Sequence, residues 1–169
     1  MRIHFFVHLV FNIKLNYNIL PQSLSNTLVH IVFSTKHRKE LIDDNIESLL
    51  FGYVGNICNK QKCKVIIVGG YKNHIHVFCS LHRTVTQSNL VKILKTSSSV
   101  WIKTQGDAYE NFYWQDGYGV FSVSQSDSSR LIKYIQNQRH HHEKMSFKEE
   151  YRKLLKSHNI VFDEKYVWD

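Results

Sequence analysis

Two histidines flank one apolar residue in the run His74-Ile75-His76, and imidazole nitrogens are good ligands for metal ions. Side chains alternate between the two faces of a strand, so a strand here holds His74 and His76 on one side, with Cα atoms about 7 Å apart. Each imidazole can then give one nitrogen to a divalent cation that keeps positions open for substrate oxygens and water. Taken alone, this spacing is a weak signal, and two ordinary strand histidines are the favoured interpretation.

Tyr134 and Gln138 form a second group with chemical potential. They are four residues apart in a segment of helical periodicity, so their side chains share one helix face. A tyrosine hydroxyl can attack phosphorus when a metal polarises the phosphoryl oxygens, and the amide oxygen of Gln138 can serve as a third ligand. The alternative for Tyr134 is an amphipathic-helix residue with a half-buried ring and a hydrated hydroxyl.

The apolar periodicity predicts the elements that position these groups. Alternating and β-branched residues predict strands over residues 29–34, 64–68, 74–81 and 120–124, with Gly69-Gly70 closing the second strand. Repeats at three and four residues predict helices over 46–58, from the cap Thr86 to about Lys103, and from Ser126 or Asp127 to about Lys144. This order predicts an α+β, ferredoxin-like (RRM-like) antiparallel sheet with helices on one face, followed by an additional helix that carries the tyrosine.

The chain divides into three parts by composition. Residues 1–20 form an N-terminal extension, whose apolar run over 3–11 is too short to span a bilayer and lacks a small-residue cleavage site. Residues 21–145 form the main domain. Residues 146–169 form a closing helix and tail, with a strand-like run over 159–162; their mixed charges favour packing on the domain or at a dimer interface over a catalytic role.

The composition excludes several classes of protein. The 169 residues carry a formal charge of +8, and the pI is about 9.4, which favours an anionic partner and nucleic acid first. The three cysteines lack a C-x-x-C spacing, which argues against a disulfide framework or a zinc ribbon and suits a reducing cytoplasm. We therefore expect a cytoplasmic protein without a membrane partner.

Four segments, in this order along the chain, resemble one known family. They are TLVHIVFSTK at 27–36, NHIHVF at 73–78, WQDGYGVFSVS at 114–124 and KYIQNQ at 133–138. They resemble the single-tyrosine HUH transposases of insertion sequence 200/605 type, the TnpA and REP-associated tyrosine transposase group. The resemblance runs from about Ser23 to the closing FDEKYVWD, and four motifs in order are far more specific than any one of them.

The resemblance implies a fold, a reaction and a set of partners. Such proteins have a ferredoxin-like fold, work as homodimers, bind hairpins in single-stranded DNA at element ends, and cleave and rejoin strands with Mg2+ or Mn2+. By motif match, His74, His76 and Gln138 hold the metal, and Tyr134 is the nucleophile that becomes a 5′-phosphotyrosine. The covalent link conserves the phosphodiester energy, so no nucleotide cofactor is expected, consistent with the lack of a P-loop motif in the sequence.

One position departs from the family pattern. Many relatives have an aspartate directly before the first histidine, whereas this chain has Asn73. An asparagine side chain still accepts a hydrogen bond, so we expect metal binding to persist with altered tuning.

Basic and aromatic side chains suggest where a strand of DNA would bind. Lys36 and Arg38 follow the first strand, and Lys92 and Lys95 lie on or beside the second helix, so they are candidates for an electrostatic DNA track. Tyr113, Trp114 and Tyr118 are candidates for base stacking, with core packing the alternative for Trp114. The run His140-His141-His142 resembles a metal tract, but a solvated helix end is the favoured interpretation.

Three other functions fit part of the pattern. An RNA-recognition module has the same sheet, but it needs an aromatic pair on the strands that this sequence lacks. A metal-dependent nuclease would use water in place of Tyr134 as the nucleophile. A domesticated relative would keep hairpin binding without cleavage.

Overall fold

The computed structural model describes residues 24–168 of the chain. The predicted N-terminal extension over residues 1–20 lies outside the described residues.

Four antiparallel strands form one sheet at the centre of the fold. They are β1 (Leu28–Ser34), β2 (Lys64–Tyr71), β3 (His74–Ser80) and β4 (Gly119–Ser122). Their order across the sheet is β2-β3-β1-β4, so β1 and β3 are the central strands, paired with each other. This order is that of the split β-α-β arrangement, and the predicted α+β class is confirmed.

Two helices cover one face of the sheet and build the main core. These are α1 (Glu47–Lys60) and α2 (Gln87–Lys103), which pack on Ile31, Ile75, Val77 and Cys79. The predicted cap at Thr86 is confirmed, because its side chain accepts a hydrogen bond from the backbone N–H of Asn89.

Three helices lie on the opposite face. They are α3 (Ser128–Gln136), α4 (Gln138–His142) and α5 (Phe147–Ser157). Ile135 of α3 packs against Leu28 and Phe78 of the sheet, whereas Phe147, Tyr151 and Leu155 of α5 pack against Val32 and Phe121. The helix that carries Tyr134 therefore lies across the sheet from α1 and α2.

Three features predicted from the sequence differ from the structure. The single helix from residue 126 or 127 to about 144 is interrupted at Asn137, a residue whose side chain competes for backbone hydrogen bonds and which here leaves helical geometry. The run over 159–162 lies outside every strand of the described residues. Strand β4 also begins one residue earlier than predicted and ends at Ser122.

Gly69-Gly70 continue strand β2 instead of closing it. A Cβ on Gly69 would lie 2.6 Å from Cγ2 of Ile135, so the missing side chain lets α3 approach the sheet backbone. A Cβ on Gly70 would lie 2.2 Å from the backbone oxygen of His74. These glycines therefore allow a helix and a neighbouring strand to approach the backbone of β2 closely. A Gly-Gly pair in the sequence alone does not distinguish this role from a turn.

Within residues 24–168, no helix combines the length and the apolar character needed to cross a membrane.

Candidate active site

His74 and His76 lie side by side on the face of β3 that is turned toward α3, α4 and α5. Both are 0% exposed, and their ring centroids are 5.0 Å apart. The intervening Ile75 packs in the core on the other face, so the predicted alternation is confirmed. Burial and the neighbouring His76 lower the pKa of His74 to about 3, which keeps this imidazole neutral.

The proton position on His74 follows from the hydrogen bonds of Asn73. The Asn73 amide nitrogen donates to the backbone oxygen of Arg38 at 3.2 Å, which turns its oxygen toward Nδ1 of His74 at 2.8 Å. An amide oxygen only accepts, so we assign the His74 proton to Nδ1. The expected acceptor role of Asn73 is confirmed, and the lone pair of His74 is left on Nε2.

Gln138 begins α4 and is 1% exposed. Its Oε1 lies 3.2 Å from Nε2 of His74, and its Nε2 donates to the Glu150 carboxylate at 3.0 Å. Despite the interruption at Asn137, the side chains of Tyr134 and Gln138 both reach Glu150. The expectation that they share one working face is therefore met, although they belong to two short helices.

Glu150 of α5 is the centre of the site, and the sequence reading missed it. It is 1% exposed, and its two carboxylate oxygens lie 3.4 Å from Nε2 of His74 and Nε2 of His76, respectively. Tyr134 also donates its hydroxyl to this carboxylate. Burial raises the pKa of Glu150, but the surrounding His76, His142 and His74 outweigh it and hold this pKa below its usual range.

His142 is a second missed residue, and its interpretation as part of a solvated helix end was wrong. Its side chain is 3% exposed, and Nδ1 lies 2.7 Å from the backbone oxygen of Met145. Its Nε2 lies 3.0 Å from Oε1 of Gln138 and 3.1 Å from Glu150. His140, in contrast, is 71% exposed, as expected for a helix end.

A signal for both residues is present in the sequence. His142 follows Gln138 by four positions, which continues the face that begins at Tyr134. Glu150 lies three positions after Phe147 and one before Tyr151, so it interrupts the apolar stripe of α5 with an acid.

The donor set fits a divalent cation. A backbone oxygen only accepts, so Nδ1 of His142 carries a proton, and its Nε2 faces the oxygens of Gln138 and Glu150. One imidazole nitrogen each of His74 and His142 and one Glu150 oxygen lie within 4.8 Å of one another, and the Gln138 oxygen lies 3.2 Å and 3.0 Å from Nε2 of the two imidazoles. Several lone pairs that face one another repel unless a proton or a cation lies between them.

Tyr134 is half-buried, and its hydroxyl needs a group that accepts its proton before the oxygen can act as a nucleophile. Burial raises its pKa above the ordinary value, and the Glu150 carboxylate raises it further. The phenol is therefore protonated at neutral pH, and its proton already lies in a hydrogen bond to Glu150.

Three features help to hold α3, α4 and α5 in place. Gly69 admits α3, while Arg139 joins α4 to the region around the start of α1 through Asp44 at 2.6 Å and Glu47 at 2.5 Å. A capping box at Ser146 begins α5, in which the Ser146 hydroxyl accepts from the backbone N–H of Glu149.

A cleft of about 410 Å3 leads from the surface to Tyr134 and Glu150. Its apolar lining includes Phe121, Leu131 and Leu154, and the exposed cations Arg130 and Lys153 lie on its border. Its volume and mixed lining are typical of a ligand site.

The four cations predicted to contact DNA have different environments. Lys36 pairs with Asp116 at 3.2 Å, and Arg38 donates to the backbone oxygen of Trp168 at 3.0 Å. Lys92 is exposed on α2. Lys95 donates to the backbone oxygens of Gln115, Asp116 and Gly117 over 2.7 to 2.9 Å, all in the segment 112–119, hereafter the aromatic loop. Burial lowers the pKa of Lys95 to about 8.

The three aromatic residues predicted to stack on bases differ in exposure. Trp114 is 7% exposed and donates its indole N–H to the hydroxyl of Ser98 at 2.9 Å, so it belongs to the core. Tyr113 and Tyr118 are 54% and 41% exposed.

Comparisons with known proteins agree with this architecture. The profile of the family described as IS200-like transposase matches residues 23–138. A crystal structure described as a transposase from Deinococcus radiodurans aligns with a TM-score of 0.56 at 18% identity, over 70% of this chain and 95% of that chain. A REP-associated tyrosine transposase bound to a REP hairpin aligns with a TM-score of 0.54 at 11% identity, over 73% and 72% of the two chains. No curated protein sequence matches the chain.

Proposed function

Because the chain belongs to the IS200-like transposase family, we propose that this transposase cleaves and rejoins single-stranded DNA at hairpin-containing element ends through a 5′-phosphotyrosine on Tyr134. One observation carries the proposal: Tyr134, the pair His74 and His76, and Gln138 come from separate elements and meet around one buried carboxylate, Glu150.

In the proposed reaction Tyr134 attacks the scissile phosphorus. The Oη–P bond forms, the bond from phosphorus to the 3′ oxygen breaks, and the phenolic proton moves to the Glu150 carboxylate that already accepts it. The 3′ oxygen leaves and takes up a proton, which protonated Glu150 can supply. Reversal by a second 3′-hydroxyl rejoins the strands without a nucleotide cofactor.

We propose that His74, His76 and Gln138 hold a Mg2+ or Mn2+ ion, with Glu150 and His142 beside them. A divalent cation there would neutralise the charge that develops on the phosphoryl oxygens. Asn73 fixes His74 with its Nε2 lone pair directed into the site, and Gln138 places an amide oxygen next to it.

The cleft beside Tyr134 is the proposed route of the DNA strand. It is the cavity that contains both Tyr134 and Glu150, and Arg130 and Lys153 can accompany the phosphates while the apolar lining faces sugar and base. We propose that Lys36, Arg38 and Lys92 contact the DNA outside the cleft. Lys95 is committed to the aromatic loop, so its contribution to binding is through that loop.

From the family resemblance we propose that the protein recognises DNA hairpins and forms a homodimer. The similar fold of the REP-associated transposase bound to a REP hairpin supports the proposal of hairpin recognition. Within one chain Tyr134 contacts Glu150 and Gln138 faces His74, so we propose that each subunit of such a dimer holds its own site. The proposed catalytic unit of residues 21–145 then extends into 146–169, because α5 supplies Glu150.

The test is covalent capture of DNA. Purified protein is incubated with single-stranded DNA from both flanks of its own gene, with and without Mg2+ or Mn2+, and a protein–DNA adduct is sought on a denaturing gel. We expect a metal-dependent adduct that is lost in Tyr134→Phe and in His76→Ala. Tyr109→Phe is the matched control, since this tyrosine bonds to Asp43 away from the site.

Two outcomes contradict the proposal. Cleavage that persists in Tyr134→Phe identifies water as the nucleophile and the protein as a metal-dependent nuclease. Tight hairpin binding without cleavage by the wild-type protein, on DNA that carries the element ends, identifies a domesticated binding protein.

A further inference from the structure

His30 is a buried histidine that the proposed reaction leaves without a role. It lies on β1 and is 2% exposed, and its Nε2 is 2.8 Å from Nδ1 of His76. The two rings stack with centroids 5.1 Å apart and an angle of 19° between their planes. His30 is paired across the strands with Phe78, so it is a diagonal neighbour of His76 on the same sheet face.

We propose that His30 is a positioning residue, which accepts the Nδ1 proton of His76 and so holds this imidazole with its Nε2 lone pair directed toward Glu150. The inference rests on the proposed function, because it assigns the orientation of a proposed metal ligand.

The environment of His76 Nε2 supports the proposal. This atom is buried, has no hydrogen-bond partner among the described residues, and lies 3.4 Å from a Glu150 oxygen. A neutral imidazole that gives Nε2 to a cation must carry its proton on Nδ1, and the group next to Nδ1 must then accept. That group is Nε2 of His30, which accepts only when His30 carries its own proton on Nδ1.

The neighbouring ligand has the same arrangement. Nδ1 of His74 is held by the oxygen of Asn73, and its Nε2 also lies 3.4 Å from Glu150. Both histidines thus have a partner at Nδ1 and direct Nε2 to one carboxylate. A partner at the second nitrogen fixes the tautomer and ring orientation of metal-binding histidines, and its loss typically weakens metal binding by about 10- to 100-fold.

The first test measures Mn2+ binding by the electron paramagnetic resonance signal of the free ion. His30→Leu removes the acceptor at similar size, while His30→Gln keeps an amide oxygen within reach of His76. We expect about 10- to 100-fold weaker Mn2+ binding in His30→Leu and recovery of most of the loss in His30→Gln. His158→Leu is the control, because it removes a histidine at the end of α5 whose ring lies against Phe121, with centroids 4.6 Å apart.

The second test needs no variant. In protein with 15N-labelled histidine and bound Mg2+, long-range 1H–15N correlation spectra identify the protonated nitrogen of each ring. We expect a proton on Nδ1 and an unprotonated Nε2 in His76, and a proton on Nδ1 of His30.

Each contrary result has one meaning. Wild-type Mn2+ affinity in His30→Leu, a loss that His30→Gln does not recover, or a proton on Nε2 of His76 in the Mg2+-bound protein overturns the role of His30 alone. Absence of Mn2+ binding by the wild-type protein overturns both this role and the proposed metal use. In that case the adduct assay shows separately whether the role of Tyr134 as nucleophile also fails.

Discussion

The hydroxyl of Tyr134 donates a hydrogen bond to the carboxylate of Glu150, which lies sixteen residues further along the chain and on a different helix. The same carboxylate accepts from Gln138 and lies against His74 and His76. One acidic side chain therefore links the proposed nucleophile to the proposed metal ligands, and it is the group whose replacement is most informative.

Replacement of Glu150 by Gln should abolish most of the cleavage. The amide cannot take the Tyr134 proton and carries no charge for a cation, and loss of a general base typically costs about 10²- to 10⁴-fold in rate. Single-turnover adduct formation at saturating DNA measures the effect. Glu143→Gln, at an exposed position on the same side of the fold, should retain the wild-type rate. An unchanged rate in Glu150→Gln would show that the Glu150 carboxylate does not take part in the reaction.

Replacement of Gly69 by Ala should displace the helix that carries Tyr134. The new Cβ would meet Ile135 at 2.6 Å, and overpacking of this kind costs about 1 to 3 kcal/mol of unfolding free energy. Adduct formation should fall together with stability in urea denaturation.

Gly52→Ala is the matched control for Gly69→Ala. This glycine is exposed within α1 and a Cβ on it would have no neighbour within 4 Å, so alanine should stabilise the protein by roughly 0.5 to 1 kcal/mol. Equal stability of the two variants would contradict the close approach of α3 to β2.

His142 should contribute to metal binding, while His140 should not. His142 is buried against Gln138 and Glu150, so His142→Phe should weaken Mn2+ binding by about tenfold or more. His140 is exposed, and His140→Phe should bind Mn2+ like the wild type. Titration of free Mn2+ compares the two variants, and equal affinities would exclude His142 from the metal ligands.

Two of the lysines of α2, Lys92 and Lys95, should differ in their effects on stability and on DNA binding. Lys95→Met loses three hydrogen bonds from a charged donor to the aromatic loop and should lower the unfolding free energy by about 1 to 3 kcal/mol. Lys92→Met should change stability by less than about 0.5 kcal/mol. If Lys92 contacts phosphate, its loss should reduce the salt dependence of single-stranded DNA binding by about 0.7 in log–log slope. An unchanged slope would place Lys92 outside the DNA track.

The site residues that the sequence identified form two pairs, and each pair is close together in the chain. His74 and His76 are two residues apart on a strand and Tyr134 and Gln138 are four apart, so local periodicity is enough to place each pair on one face. The four ordered motifs then joined the two pairs into one family pattern. The interruption at Asn137 was missed, but it did not separate Tyr134 from Gln138, because both side chains still reach Glu150.

The sequence by itself determined the α+β class, the order of the strands and helices, and the two local pairs, since these follow from periods of two and 3.6 residues. Only the tertiary structure decided that α5 brings Glu150 into the site, that His142 is buried beside it, and that His30 bonds to His76. These contacts join residues that are far apart in the chain or depend on how a helix packs against the sheet. Local patterning carries no information about such packing, so buried polar residues on apolar faces become interpretable only when their partners are known.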